Sequence, residues 1–225
     1  MLVGLSRKSI YAIVSVCVIG AAGHAQAPSQ EWLWCSGKKS TTLDRRIESC
    51  NSLIDSPDVA PANKSLAYCN RAVAYQELGD MPRAISDLEE SVRLDTEKYP
   101  SLICRAHHHY FMGNTERAIA GYSEAIASNP RQPEAFVARG VVYRSIKEFD
   151  RAIADYDEAI RLAPDDALAY ANRADAHLQI QRYDQSMRDF NDAIRLDPNM
   201  TPAYAGRAKA RAALGSEPPS LDAHQ

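Results

Sequence analysis

Every thirty-fourth residue of this chain repeats in kind. From Tyr68 that step reaches Leu102, Phe136, Tyr170 and Tyr204, and from Arg71 it reaches Arg105, Arg139, Arg173 and Arg207. A unit of this length is too small to bury its own apolar face and becomes stable only by stacking on its neighbours. Pro130, Pro164 and Pro198 recur in the same step, and each ends a helix and turns the chain into the next unit. They set the boundaries of four repeats, 65–98, 99–132, 133–166 and 167–200.

Within a repeat the pattern predicts two helices. The first begins near the aromatic position, and the second is centred on Ala84, Ala118, Ala152 or Ser186. Small residues at Ala72, Ala106, Gly140 and Ala174, and at Ser91, Ala125, Ala159 and Ala193, let the two helices approach closely. Gly79 with Asp80, and Gly113 with Asn114, read as the intervening turns, since glycine accepts the positive φ that ends a helix. Lys147 and Gln181 stand in the glycine position of the last two repeats, so those turns are expected to be strained or differently closed.

The chain of 225 residues, 45% hydrophobic and 24% charged, has a globular composition. Its net charge of -3 provides no basic face for nucleic acid. Arg7 and Lys8, the apolar run Ile10 to Ala22, and small residues at Gly23 and Ala25 read as an export leader over 1–25, cleaved after Ala25. Export leaves a chain more acidic by two charges, in a periplasmic or secreted location where cysteines oxidise, with a retained N-terminal anchor as the alternative reading.

The set Phe136, Gly140, Tyr143, Ala152, Tyr156, Ala159 and Pro164 resembles the tetratricopeptide repeat pattern, and the likeness runs from Ser65 to Gly215. It departs at His109 and His177, which replace the tyrosine, and at Thr96, which replaces the first proline. The resemblance implies an all-α fold: a right-handed superhelical solenoid of antiparallel helix pairs, with four repeats and a capping helix over 201–215. The tail 216–225 is expected to be flexible.

Residues 26–64 are less regular. Ile47, Cys50, Leu53 and Ile54 form the stripe of one helix, but Trp32 to Thr42 show no helical period to partner it. Cys35 and Cys50 are therefore expected to form a disulfide that staples an irregular loop over that helix. The chain-entropy model values such a closure at about 3 kcal/mol.

The recurrent arginine departs from the leucine usual in the family. Sixteen residues after three of the arginines stands an acid, giving the pairs Arg71 with Asp87, Arg139 with Asp155, and Arg173 with Asp189. The expected arrangement is a partly buried bidentate ladder between the two helices of a repeat. Arg105 faces Gly121, and Arg207 stands in a helix without a second partner, so these two read as the arginines most free to bind a ligand.

His107, His108 and His109 point about 100 degrees apart on a helix and cannot share one metal ion. The reading places His109 in the core and His107 on the inner face. Cys69 and Cys104 lie in neighbouring first helices. They suit a disulfide, a soft-metal pair with His107, or two small buried thiols, and the last is the reading taken. No metal site, cofactor motif or catalytic constellation stands out, so the chain does not read as an enzyme.

In the family, inner-face side chains of the first helices line a groove for an extended peptide or a partner helix. Carried over by register, the candidates in the first two repeats are Val73, Gln76, Ile103, His107, Tyr110 and Phe111. In the next two they are Val141, Arg144, Asp175 and Gln179. This groove would be mostly apolar, with Tyr110 and Phe111 as anchors and Arg144 and Asp175 giving orientation. The implied function is a non-catalytic scaffold for a protein or peptide partner in the cell envelope. The alternatives are an architectural piece of an envelope complex, docking through its convex face or the segment holding Trp32 and Trp34, and a thiol or metal protein.

Overall fold

The computed structural model describes residues 29–37, 42–95 and 99–216. The leader, Thr96 and the residues beyond Ser216 lie outside them. All regular structure among the described residues is α-helical. None of these helices is long and apolar enough to cross a membrane.

The chain divides into two compact units, Met1–Pro130 and Arg131–Gln225. The first holds α1 (Gln30–Cys35), α2 (Leu43–Asp55), α3 (Pro61–Leu78), α4 (Met81–Leu94), α5 (Tyr99–Phe111) and α6 (Thr115–Ser128). The second holds α7 (Pro133–Ser145), α8 (Phe149–Leu162), α9 (Ala167–Gln179), α10 (Tyr183–Leu196) and α11 (Thr201–Ser216). In the first unit α1 packs on α2, α2 on α3, α3 on α4 and α5 on α6, with α5 touching both α3 and α4. In the second, each helix from α7 to α11 packs on the next. These are the consecutive helix pairs that the 34-residue period calls for.

Local chemistry sets the helix ends. Thr42 Oγ1 accepts from the Arg45 N–H at 3.3 Å, and Asp80 Oδ1 accepts from the Arg83 N–H at 3.1 Å. Asp166 Oδ1 accepts from the Leu168 and Ala169 N–H groups at 2.9 and 3.3 Å. Each satisfies donors that the first helical turn leaves unpaired. Gly79 (φ +80°) ends α3, and its N–H reaches the Gln76 carbonyl while the Asp80 N–H reaches the Tyr75 carbonyl. Lys147 and Gln181 close their turns in the same way, at φ +65° and +61°. The expectation of a different closure is corrected: hydrogen bonding from Lys147 to Arg144 and from Glu148 to Tyr143 imposes the glycine geometry on residues that carry side chains.

The core repeats with the sequence. Tyr122, Tyr156 and Phe190 are at most 2% exposed. Each is the aromatic of a second helix, and opposite it the first helix must be small. A Cβ added to Gly140 would sit 2.7 Å from Tyr156 Cε1, and one added to Gly206 would sit 2.1 Å from Phe190 Cζ. The N-terminal segment corrects the irregular-loop expectation at one place, because residues 30–35 form a short helix capped by Ser29. Six residues are too few to display a period. Cys35 is bonded to Cys50, and with Leu53, Ile54 and Ala67 the pair makes a small core covered by Trp32, Val59 and Tyr68.

Candidate functional site

The recurrent arginines are anchored. Arg71 donates from Nε and Nη2 to Asp87 at 2.8 and 2.7 Å, and Arg139 does the same to Asp155 at 2.9 and 2.7 Å. Arg173 repeats the fork on Asp189 at 2.8 and 2.7 Å. Each fork ties a first helix to the second helix of its own repeat. The carboxylate raises the guanidinium pKa above its ordinary value in all three cases, against the opposing effect of burial.

A second set of contacts runs backwards along the chain. Arg173 Nη1 donates to Asp157 at 2.7 Å, and Arg207 Nη1 donates to Asn191 at 3.0 Å. In both, the acceptor stands sixteen residues before the arginine, on the second helix of the preceding repeat. Arg71 Nη1 likewise reaches back to Asn51 at 2.6 Å. A search of the sequence sixteen residues in both directions would have found Asp157 and Asn191. Arg105 is also not free, since its Nη2 donates to Glu124 at 2.7 Å across a largely exposed pair.

Burial redistributes the inner-face candidates. In the first unit Val73, Gln76, Ile103 and His107 are at most 8% exposed, so they belong to the interior rather than to an open groove. Gln76 is hydrogen-bonded to His108 Nδ1, joining α3 to α5. His107 Nδ1 and the Tyr122 hydroxyl are hydrogen-bonded at 2.8 Å, with the rings edge to face. The ranking of the histidines is therefore corrected: His107 and His108 are buried, and His109 is only partly so. Burial lowers the pKa of His108 and of His109, so each gives up its proton more readily than a free imidazole. Tyr110 and Phe111, at the C-terminal end of α5, keep part of their surface accessible.

The same close approach accounts for the cysteines. Cys69 of α3 is bonded to Cys104 of α5, Cα to Cα 6.0 Å, which replaces the expectation of two free buried thiols. Spacing alone shows only that the two positions are register neighbours in adjacent first helices. The oxidised pair has no thiolate to offer a metal, and among the described residues no cluster of His, Cys, Asp or Glu is placed to hold one.

In the second unit Val141 is buried, Gln179 is exposed, and Arg144 Nη1 donates to Asp175 at 2.8 Å, linking α7 to α9. Burial pushes the Asp175 carboxyl above its usual range, with Arg144 and then Lys209 pulling it back. Tyr156 lies beneath this pair, its hydroxyl pKa pushed upward by burial and opposed by Arg144. The Arg144 and Asp175 side chains are 14% and 31% exposed, so the pair is partly buried. Near the first unit's N-terminus, Trp34 lies under the Arg45 guanidinium, 4.3 Å from ring centroid to Cζ.

Tetratricopeptide repeat models match residues 66–98, and 105–167 with 148–201, together more than half of the chain. The chain belongs to the tetratricopeptide repeat family. No curated protein matches it in sequence. Among solved structures it is similar to a thermophilic TPR protein in Thermus thermophilus, at TM-score 0.61 and 20% identity, over 76% of this chain and 90% of that one. It is also similar to the first TPR of Spaghetti bound to an HSP90 peptide, at TM-score 0.53 and 25% identity, over 54% of this chain and 97% of that one. A tetratricopeptide repeat protein from Parabacteroides merdae aligns at TM-score 0.59 and 24% identity, over 77% of this chain and 67% of that one.

Proposed function

We propose that this chain is a non-catalytic scaffold that binds an apolar segment of a protein partner in the cell envelope. The observation that carries the reading is the repeat itself: helix pairs stacked by ion pairs and buried aromatics, a construction whose relative in Spaghetti is bound to a peptide. Tyr110 and Phe111 are the accessible inner-face aromatics of the first unit and serve as its anchors. The Arg144–Asp175 pair orients a ligand on the second unit. Two disulfides favour an oxidising location, because the cytosol keeps such pairs reduced. The partner is a protein or peptide rather than nucleic acid or membrane, and no cofactor takes part.

The test is affinity capture from envelope extract with the mature chain, residues 26–225, identified by mass spectrometry. Wild type is expected to retain one partner that Tyr110→Ala with Phe111→Ala loses. Unchanged capture by the double variant would sink the anchor assignment.

A further inference from the structure

We infer that α11 presents a second docking surface, which accepts an amphipathic helix of a partner protein carrying an adjacent Asp and aromatic residue. The arginine register points to this surface independently of the groove. Arg173 makes two sets of bonds, backward through Nη1 to Asp157 and forward through Nε and Nη2 to Asp189. Arg207 stands one repeat later in the same posture. Its Nη1 bonds backward to Asn191, and its guanidinium lies over Tyr204 at 5.4 Å, as Arg173 lies over Tyr170 at 5.6 Å. Only the forward half is missing: among the described residues no helix follows α11, and no acceptor meets Nε or Nη2 of Arg207.

The space such a helix would fill is present. A cleft of about 730 Å³ opens over α10 and α11, lined by Met187, Asn191, Tyr204, Arg207, Ala208 and Arg211 among others. Tyr204 and Ala208 are the repeat equivalents of Tyr170 and Ala174, which α10 covers with Phe190. Yet Tyr204 is 41% exposed, and Ala208 is exposed as well. The lining carries two guanidinium groups and no acid, so a carboxylate is the complement it calls for.

The occupant's pattern can be read from the helices that fill this position elsewhere. Asp155 with Tyr156, and Asp189 with Phe190, place an acid on the arginine and an aromatic against the small residue beside it. The chain's own continuation does not match, because Pro218 and Pro219 interrupt it and Ala223 stands where the register requires the acid. A second copy matches poorly too, since its second helices already pack on their own first helices.

The probe is a labelled synthetic peptide with the sequence of Phe149–Leu162, which carries the Asp155 and Tyr156 pair, titrated against the full chain by fluorescence anisotropy. Saturable binding is expected, weakened about tenfold by Arg207→Gln in the chain or by Asp155→Asn in the peptide, with little further loss when the two are combined. Ala208→Phe should block the cleft, while Tyr110→Ala with Phe111→Ala should leave binding unchanged, which separates this surface from the groove. Unaltered thermal melts would show that the variants fold. Absence of saturable binding, or binding indifferent to both Arg207→Gln and Ala208→Phe, would overturn the proposal. So would Arg207-dependent self-association in sedimentation, which would make a second copy the occupant. Binding seen only after removal of residues 217–225 would also overturn it, by making the chain's own tail the occupant.

Discussion

The two units share a repeat pattern but are held together differently. All the described cysteines lie in the first, where Cys35–Cys50 and Cys69–Cys104 join α1 to α2 and α3 to α5. The second unit has no cysteine and relies on the forked pairs Arg139 with Asp155 and Arg173 with Asp189 and the backward bonds to Asp157 and Asn191, whereas the first adds its cross-links to a fork of its own, Arg71 with Asp87. The first unit is also where the family pattern is weakest, with a six-residue helix at its start and Gly121 in place of the ladder acid. Cross-links stand where repeat packing is interrupted, and ion pairs suffice where it is regular.

Breaking the cross-links should therefore separate the units most sharply. The Cys69–Cys104 bond spans 35 residues, and by the chain-entropy model its removal costs about 4 kcal/mol. Cys69→Ala with Cys104→Ala should lower protection of the α3–α6 amides in hydrogen exchange by that amount and leave α7–α11 unchanged. An equal loss in both units would mean that they unfold together.

The ladder is the corresponding weak point of the second unit. Asp155 is 6% exposed, so Asp155→Ala leaves the Arg139 fork facing a buried gap and should cost about 2–3 kcal/mol, read as lost protection of α7 and α8. Adding Arg139→Leu should recover most of it, because the arginine is then no longer stranded. Glu124→Ala in the first unit removes a largely exposed partner of Arg105 and should cost less than about 1 kcal/mol. Equal costs for Asp155→Ala and Glu124→Ala would show that burial does not distinguish these pairs.

What the sequence made legible follows from what repeats. The family pattern points to the buried Tyr156, and the arginine step predicts an acid sixteen residues on. Contacts that need the distance between helices were not legible. Val73, Ile103 and Gln76 occupy a groove register, yet close packing of α3 and α5 encloses them, and that same approach joins Cys69 to Cys104. The backward bonds of Arg173 and Arg207 obey the same spacing in the other direction, so their sequence signal existed and pointed to an anchored arginine where a free one was expected.

Packing against the second-unit aromatics gives the next effect. Gly206→Ala would set a methyl against the Phe190 ring, which is 2% exposed and has no room to yield. Overpacking of this kind costs about 1–3 kcal/mol, and thermal melts of Gly206→Ala should fall accordingly. Gly121→Ala in the first unit would set its methyl 2.9 Å from the Ala106 Cβ and 3.3 Å from the Ala106 Cα, a smaller overlap than at Gly206, and a smaller loss is expected there. A larger loss at Gly121 would show that the first unit has less freedom to adjust than its broken pattern suggests.

The smallest difference lies in the turns, and it runs the other way. Gly79 and Gly113 close α3 and α5 at φ +80° and +78°, whereas Lys147 and Gln181 close α7 and α9 at +65° and +61°. Side chains are disfavoured in this region because Cβ crowds the neighbouring carbonyl, so the regular unit holds the strained turns. Lys147→Gly and Gln181→Gly should each stabilise the second unit by about 0.5–1 kcal/mol, the relief being partly offset by the greater freedom of an unfolded glycine. A Cβ at Gly79 or Gly113 would touch nothing within 4 Å, so Gly79→Ala and Gly113→Ala isolate the backbone cost and should destabilise the first unit by a similar amount. If the alanine variants lose stability while the glycine variants gain none, the Lys147 and Gln181 side chains must offset their own strain through contacts with the turn.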